Sequence, residues 1–176
     1  MNIIDEISAR LLAVVAEDAQ RELYQREIAR LAMVSIGATS QKLKKLSADE
    51  LVSFRTSGKM IFYRYNLSNP VAKQFKILLN LSAVFELTRK LRDHAERVIL
   101  FGSYAEGTNV TASEIDIFVL TRESKKVREI AGDYGDDRGK KVSLIIVNAD
   151  EFQQLKARYK PLYKRIIKGI TLWEAS

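Results

Sequence analysis

The chain has 176 residues, 47% of them hydrophobic, with 29 bases, 22 acids and no cysteine, for a net charge of +7. The missing cysteines exclude disulfides and thiolate metal sites, and no run approaches the roughly 18–20 consecutive apolar residues of a membrane-spanning helix. The first residues carry Asp5 and Glu6 and no signal-like apolar region, so the expectation is a cytoplasmic protein with no membrane partner, whose basic excess favours nucleic acid or nucleotide.

Ile3, Ile7, Leu11, Leu12 and Val15 recur at helical spacing and predict an amphipathic helix over residues 2–17. A second helix is expected over residues 24–32, with Ile28 and Leu31 as apolar contacts, followed by a turn at Ser35-Ile36-Gly37. A third helix over residues 38–46 directs Thr39, Leu43 and Leu46 to a core and Gln41, Lys44 and Lys45 outward, with Ser40 at the edge. Strands over 51–55 and 60–65 follow, joined at Ser57-Gly58. Between residues 36 and 66 the bases Lys42, Lys44, Lys45, Arg55, Lys59 and Arg64 exceed the acids by four, while the first 35 residues sum to −2.

Helix, helix, turn, helix and hairpin is the winged helix-turn-helix order. The segments YQREIARLAMVSIGATSQKLKKL and LVSFRTSGKMIFYRYN resemble ArsR/MarR-type regulators. That resemblance implies a third helix in the major groove of double-stranded DNA, with Ser40, Gln41, Lys44 and Lys45 at the groove and Arg55, Lys59 and Arg64 reaching phosphate. Glutamine can pair bidentately with adenine, whereas lysine supplies charge and counterion release. A solvated helix face or a protein-docking winged helix would carry similar charges; the hairpin, the wing glycine and the local basic excess favour DNA.

Ser68-Asn69-Pro70 starts a helix well, because Asn caps and Pro fits the first helical position. Val71, Phe75, Leu78, Leu79, Phe85 and Leu91 carry its apolar face toward residue 94, so a stiff helix joins the halves. Leu81, Val84 and Leu87 are surplus apolar positions, accounted for equally by a homodimer contact or by packing on the C-terminal half. His94, the single histidine, falls at the helix C-terminus, where a capping role is expected.

The last part reads as strands over 98–101, 115–120 and 142–147, a helix over 124–131 and an Asp/Gly-rich loop over 133–139. A final helix over 150–168, broken or kinked at Pro161, leads into a closing strand. This order predicts a mixed sheet with helices on one side. The informative stretch is RVILFGSYAEGTNVTASEIDIFVL: a strand entering Gly102-Ser103, a ten-residue gap, then Glu114 and Asp116 at i and i+2. Alternate strand residues share a face. A small turn beside two carboxylates suits a triphosphate and the Mg²⁺ that bridges its oxygens.

The pattern resembles the nucleotidyltransferase fold of the DNA polymerase β superfamily in its minimal prokaryotic form. The resemblance implies nucleotide binding at Gly102 and Ser103 and a catalytic metal pair at Glu114 and Asp116, with aspartate usual where Glu114 stands. It also implies a third carboxylate on the later strand, where this chain has Ser143. Serine cannot act as the general base at neutral pH. Asp150 and Glu151 lie beyond that strand, and Asp133, Asp136 and Asp137 would have to fold inward from the preceding loop.

The expected class is α+β with two domains: a winged helix-turn-helix over 1–66, a connecting helix over 67–94, and a nucleotidyltransferase-like domain over 95–176. The function expected is a DNA-binding transcriptional regulator whose second domain binds Mg-nucleotide with an incomplete carboxylate set. Two alternatives stand beside it. One is an active enzyme moving a nucleoside monophosphate from a triphosphate to a protein, RNA or small-molecule hydroxyl; the other is an antitoxin-like interaction protein.

Overall fold

A computed structural model describes residues 4–175. The chain forms two compact units, one made of the residues up to Leu79 with Gly107–Thr111, the other of Asn80–Glu106 with the residues from Ala112.

The first unit opens with α1 (Glu6–Ala16), capped by Asp5, whose carboxylate accepts from the Ser8 amide at 3.0 Å. The predicted start at Asn2 and the contact Ile3 lie outside the described residues. A two-residue strand, β1 (Leu23–Tyr24), precedes α2 (Gln25–Ala32) and α3 (Ile36–Ala48). The α2–α3 turn differs from the expectation: Met33, not Gly37, takes the left-handed conformation, with φ 53. Ser35 caps α3 by accepting from the Ala38 amide, so the helix starts at Ile36 and contains Gly37. The hairpin of β2 (Val52–Ser57) and β3 (Met60–Tyr65) turns through Gly58 and Lys59, one residue later than predicted, and places Lys59 at its tip. With β1 on the other side of β3, the order is β1-β3-β2.

Leu11, Leu12, Val15, Ile28, Leu43 and Leu46 form the core between these helices and the sheet. Each fully buried aliphatic side chain contributes about 1.5–3 kcal/mol. The hairpin docks through Tyr63 and Tyr65, and burial pushes both phenols above their usual pKa range. Tyr65 donates to the Ala72 carbonyl at 2.6 Å.

Helix α4 (Pro70–Leu91) begins as expected, with the Asn69 side chain accepting from the Val71 and Ala72 amides at 2.8 and 3.2 Å. Its residues to Leu79 belong to the first unit and those from Asn80 to the second. Val84, Leu87 and Leu91 are buried in the second unit's core with Leu81 packed against it, which settles the two accounts of the surplus apolar positions in favour of packing. His94 does not cap a carbonyl with its ring; Nδ1 lies 2.9 Å from Glu123 Oε2.

In the second unit β4 (Arg97–Phe101), α5 (Gly102–Glu106), β5 (Ile115–Leu120), α6 (Ser124–Arg138) and β6 (Val142–Val147) follow in order. The chain ends with α7 (Ala149–Arg158), α8 (Lys160–Ile167) and β7 (Ile170–Glu174). The sheet order is β6-β5-β4-β7, antiparallel except for the parallel β5–β6 pair. Helices cover both faces, correcting the one-sided expectation. Val98, Leu100, Ile115, Ile117 and Val119 pack with α4 and α6, while Ile99, Phe101 and Phe118 pack with α7 and α8. The predicted 133–139 loop is also helical. α6 continues to Arg138 because Val127, Ala131 and Tyr134 share a buried face, and it ends at Gly139 with φ 59. The break at Pro161 is present as expected: α7 ends before Tyr159, and Pro161 sits in the first turn of α8.

Candidate functional site

The first candidate surface is the outer face of α3. Leu43, Leu46 and Thr39 are buried, which fixes the helix rotation and leaves Gly37, Gln41, Lys44 and Lys45 exposed, with Ser40 half-buried beside them. Small residues at one end of this face let a helix approach closely, and the amide and ammonium groups supply contacts. The predicted basic patch is smaller than its sequence suggests. Lys42 is held by Asp5 at 2.8 Å, and this pairing, with the Ser8 amide, pulls the Asp5 carboxyl well below the usual range. Arg55 makes a forked pair with Glu22 at 2.5–2.9 Å, which lowers the Glu22 pKa and raises that of Arg55. It also stacks on Phe62, with 4.7 Å from guanidinium carbon to ring centroid. Of the residues assigned to phosphate, all three are exposed, but Arg55 is already committed to an ion pair with Glu22, whereas Lys59 and Arg64 are not. The sequence reading missed Arg26, Ile36 and Met60, which with Lys59 line a cleft of about 440 Å³ between the hairpin turn and the starts of α2 and α3.

The second candidate site lies at the end of β4 and β5. Phe101 pairs with Asp116 across the antiparallel ladder, so the chain leaves β4 beside that carboxylate. Gly102 has φ +68, and a Cβ there would overlap the Asp116 carboxylate. Both facts require glycine and bring turn and acid into contact. Ser103 follows in α5, half-buried. Glu114 stands just before β5 and is held by Lys141 at 2.5 Å. Asp116 is approached by Arg165 of α8, with Nη2 3.6 Å from Oδ2, and the same guanidinium lies 5.3 Å from the Phe101 ring centroid.

Neither Lys141 nor Arg165 was singled out from the sequence. Each is one base among several in KK and KR pairs, and only tertiary placement selects it. Among the described residues no three His, Cys, Asp or Glu side chains gather as metal ligands. A two-carboxylate site still suits Mg²⁺ when substrate phosphates and water complete the shell.

Ser143 is the register partner of Asp116 on β6, so the two share a sheet face. The residue beside Asp116 on the neighbouring strand therefore carries a hydroxyl and not a carboxylate. The loop acids cannot supply it: Asp133, Asp136 and Asp137 are exposed on α6, which packs on the opposite face of the sheet. Nor does Glu151, which closes the capping box of α7 with Asn148. A cleft of about 570 Å³ between α6 and β6 includes Lys141 but none of Gly102, Ser103, Asp116 or Ser143.

Residues 83–174 match the polymerase beta nucleotidyltransferase family model. The chain belongs to that family. Over 44 residues the chain is 39% identical to a Methanocaldococcus jannaschii protein named as a putative protein adenylyltransferase. That stretch is 25% of this chain and 44% of the relative, so the chain spans less than half the relative's length. Two solved structures are similar. Reduced HlyU from Vibrio cholerae shares 27% identity over 44% of this chain and 77% of its own, with a TM-score of 0.38. NolR from Sinorhizobium fredii shares 29% over 46% and 85%, with a TM-score of 0.32. No helix of the described residues is long and apolar enough to cross a membrane.

Proposed function

We propose that the protein is a cytoplasmic DNA-binding transcriptional regulator whose nucleotidyltransferase unit binds a magnesium–nucleoside triphosphate and transfers little or none of it. The observation that carries this reading is the pairing of Asp116 with Ser143: a base is missing where the acceptor hydroxyl would lose its proton. Losing a general base lowers the rate by about 10²–10⁴. Binding needs less. Glu114 and Asp116 would hold Mg²⁺ once released by Lys141 and Arg165, and the Gly102-Ser103 backbone would approach the triphosphate. When bound, the metal would neutralise charge on the phosphate oxygens. Lys141 and Arg165, no longer paired with Glu114 and Asp116, would then be free to offer charge to the phosphate oxygens. DNA recognition would fall to Ser40, Gln41, Lys44, Lys45 and Lys59 of the winged helix, as a monomer or a homodimer.

The test is to titrate each nucleoside triphosphate with and without Mg²⁺ while following melting temperature and pyrophosphate. A bound ligand stabilises by RT ln(1 + [L]/Kd), about 2.7 kcal/mol at a hundredfold excess over Kd. The expected result is a magnesium-dependent shift with at least one nucleotide, abolished in Asp116→Ala, and no pyrophosphate. No shift at millimolar nucleotide would end the binding reading.

A second reading, transfer of a nucleoside monophosphate to a protein or other hydroxyl, is favoured by the similarity to the Methanocaldococcus jannaschii protein. Sustained magnesium-dependent pyrophosphate release by the wild type would establish it in place of the first.

A further inference from the structure

Helices α7 and α8 concentrate the charge of this protein. Between Phe152 and Trp173 there are six bases (Lys156, Arg158, Lys160, Lys164, Arg165 and Lys168) and no acid, so this stretch accounts for all but one unit of the net +7. All six are exposed. Arg165 reaches Asp116 at 3.6 Å; the other five have no ion-pair partner among the described residues. In the winged helix, by contrast, acids already hold Lys42 and Arg55.

The arrangement is a line, not a scatter. Lys160, Lys164 and Lys168 recur every four residues, so they stand about 6 Å apart along one side of the helix. Like charges at this spacing repel, and no acid among the described residues pairs with any of the three; the α8 dipole favours only those at its C-terminal end. The scaffold beneath is firm. Phe118, Phe152 and Tyr163 pack in series as tilted rings with centroids 5.6 and 5.8 Å apart, and Ile166 is fully buried. Between the two helices stands Tyr159, 61% exposed and flanked in sequence by Arg158 and Lys160.

We infer that the outer face of α7–α8 is a binding surface for single-stranded nucleic acid, separate from the duplex-reading face of α3. A row of cations matches the linear charge of one phosphate backbone, and an exposed aromatic between two bases offers a stacking platform. An anionic membrane would attract the same charge. An interfacial helix, however, must insert an apolar face, and that of α8 (Leu162, Tyr163, Ile166) is already packed on the sheet.

The experiment uses the full chain and a fluorescent oligouridylate of about 16 nucleotides, read by anisotropy across a salt series. Wild-type binding should weaken with salt. In Lys160→Ala/Lys164→Ala/Lys168→Ala the log–log salt slope should flatten by about 2, at about 0.7 for each phosphate no longer neutralised. Tyr159→Ala should weaken binding about tenfold, the stacking contribution of one base. Because the substitutions relieve repulsion on an exposed face, the triple variant should melt no lower than the wild type, which separates impaired binding from impaired folding. Excess duplex DNA should leave the oligonucleotide bound. Unchanged affinity in the triple variant, full displacement by duplex, or displacement by phosphatidylserine vesicles would each overturn the assignment. No step uses a nucleoside triphosphate or magnesium, so this result is independent of the nucleotide test.

Discussion

The outer face of α3 and the carboxylate edge of β5 are both charged, and they differ in what holds their charges. Lys44 and Lys45 are exposed and without ion pairs among the described residues, whereas Glu114 and Asp116 each meet a cation of their own chain. A surface whose charges are free gains directly when an external partner neutralises them. A site whose charges are already paired must exchange one partner for another, so its affinity is a difference between two interactions. The second kind of site opens only to a ligand that displaces Lys141 and Arg165 from the carboxylates.

The largest way to break this contrast is at Ser143. Ser143→Asp restores a carboxylate beside Asp116 and should raise pyrophosphate release with Mg²⁺ and nucleotide by about 10²–10⁴. If release stays at background although nucleotide still shifts the melting temperature, a missing base is not what silences the site. On the α3 face, Lys44→Ala/Lys45→Ala should weaken duplex binding about tenfold and flatten its salt slope by about 2. Arg55→Ala, removing a base already committed to Glu22, should change it far less. Equal losses in an electrophoretic or anisotropy titration would mean that Arg55 leaves Glu22 when DNA arrives. The smallest effect is with acid. The folded-state pKa of Asp5 lies below the ordinary carboxylate value, so the stability it contributes is complete above about pH 4 and drains away as the pH falls through the lowered value. Lys42→Met should therefore lower the melting temperature near neutrality but make it less sensitive to acid than the wild type. Parallel acid curves would remove the pair from the stability of this unit.

The Gly102-Ser103 turn and the Glu114–Asp116 pair were legible in the sequence because their geometry is local: strand alternation fixes the face, and the turn needs small residues. The assignment of Ser143 was legible for a related reason, since β6 has a clear apolar pattern and the parallel register places it opposite Asp116. The continuation of α6 was hidden by the two glycines and three aspartates of residues 133–139, which read as a loop. The decisive signal was Val127, Ala131 and Tyr134 at spacings of four and three, fastened by Tyr134 donating to the Ala83 carbonyl at 2.6 Å. The pairings of Lys42, Arg55, Lys141 and Arg165 could not be read, because each joins residues distant in sequence and nothing in local spacing distinguishes a paired lysine from a free one. β1, with two residues, is too short to show a period.

Strand β4 sits between partners of very different reach. It pairs with β5 through a short connection, whereas on its other edge Arg97 meets Glu174 across 77 positions of sequence. Closing the longer loop costs more chain entropy, so it is expected to come later in assembly. Gly102 and Asp116 are thus brought together by an early hairpin, while α8 with Arg165 and its row of lysines is delivered at the end of the chain together with the strand that completes the sheet. On refolding, Asp116 is therefore expected to stand without Arg165 until α8 and β7 dock, so the charge facing it should be completed together with the sheet.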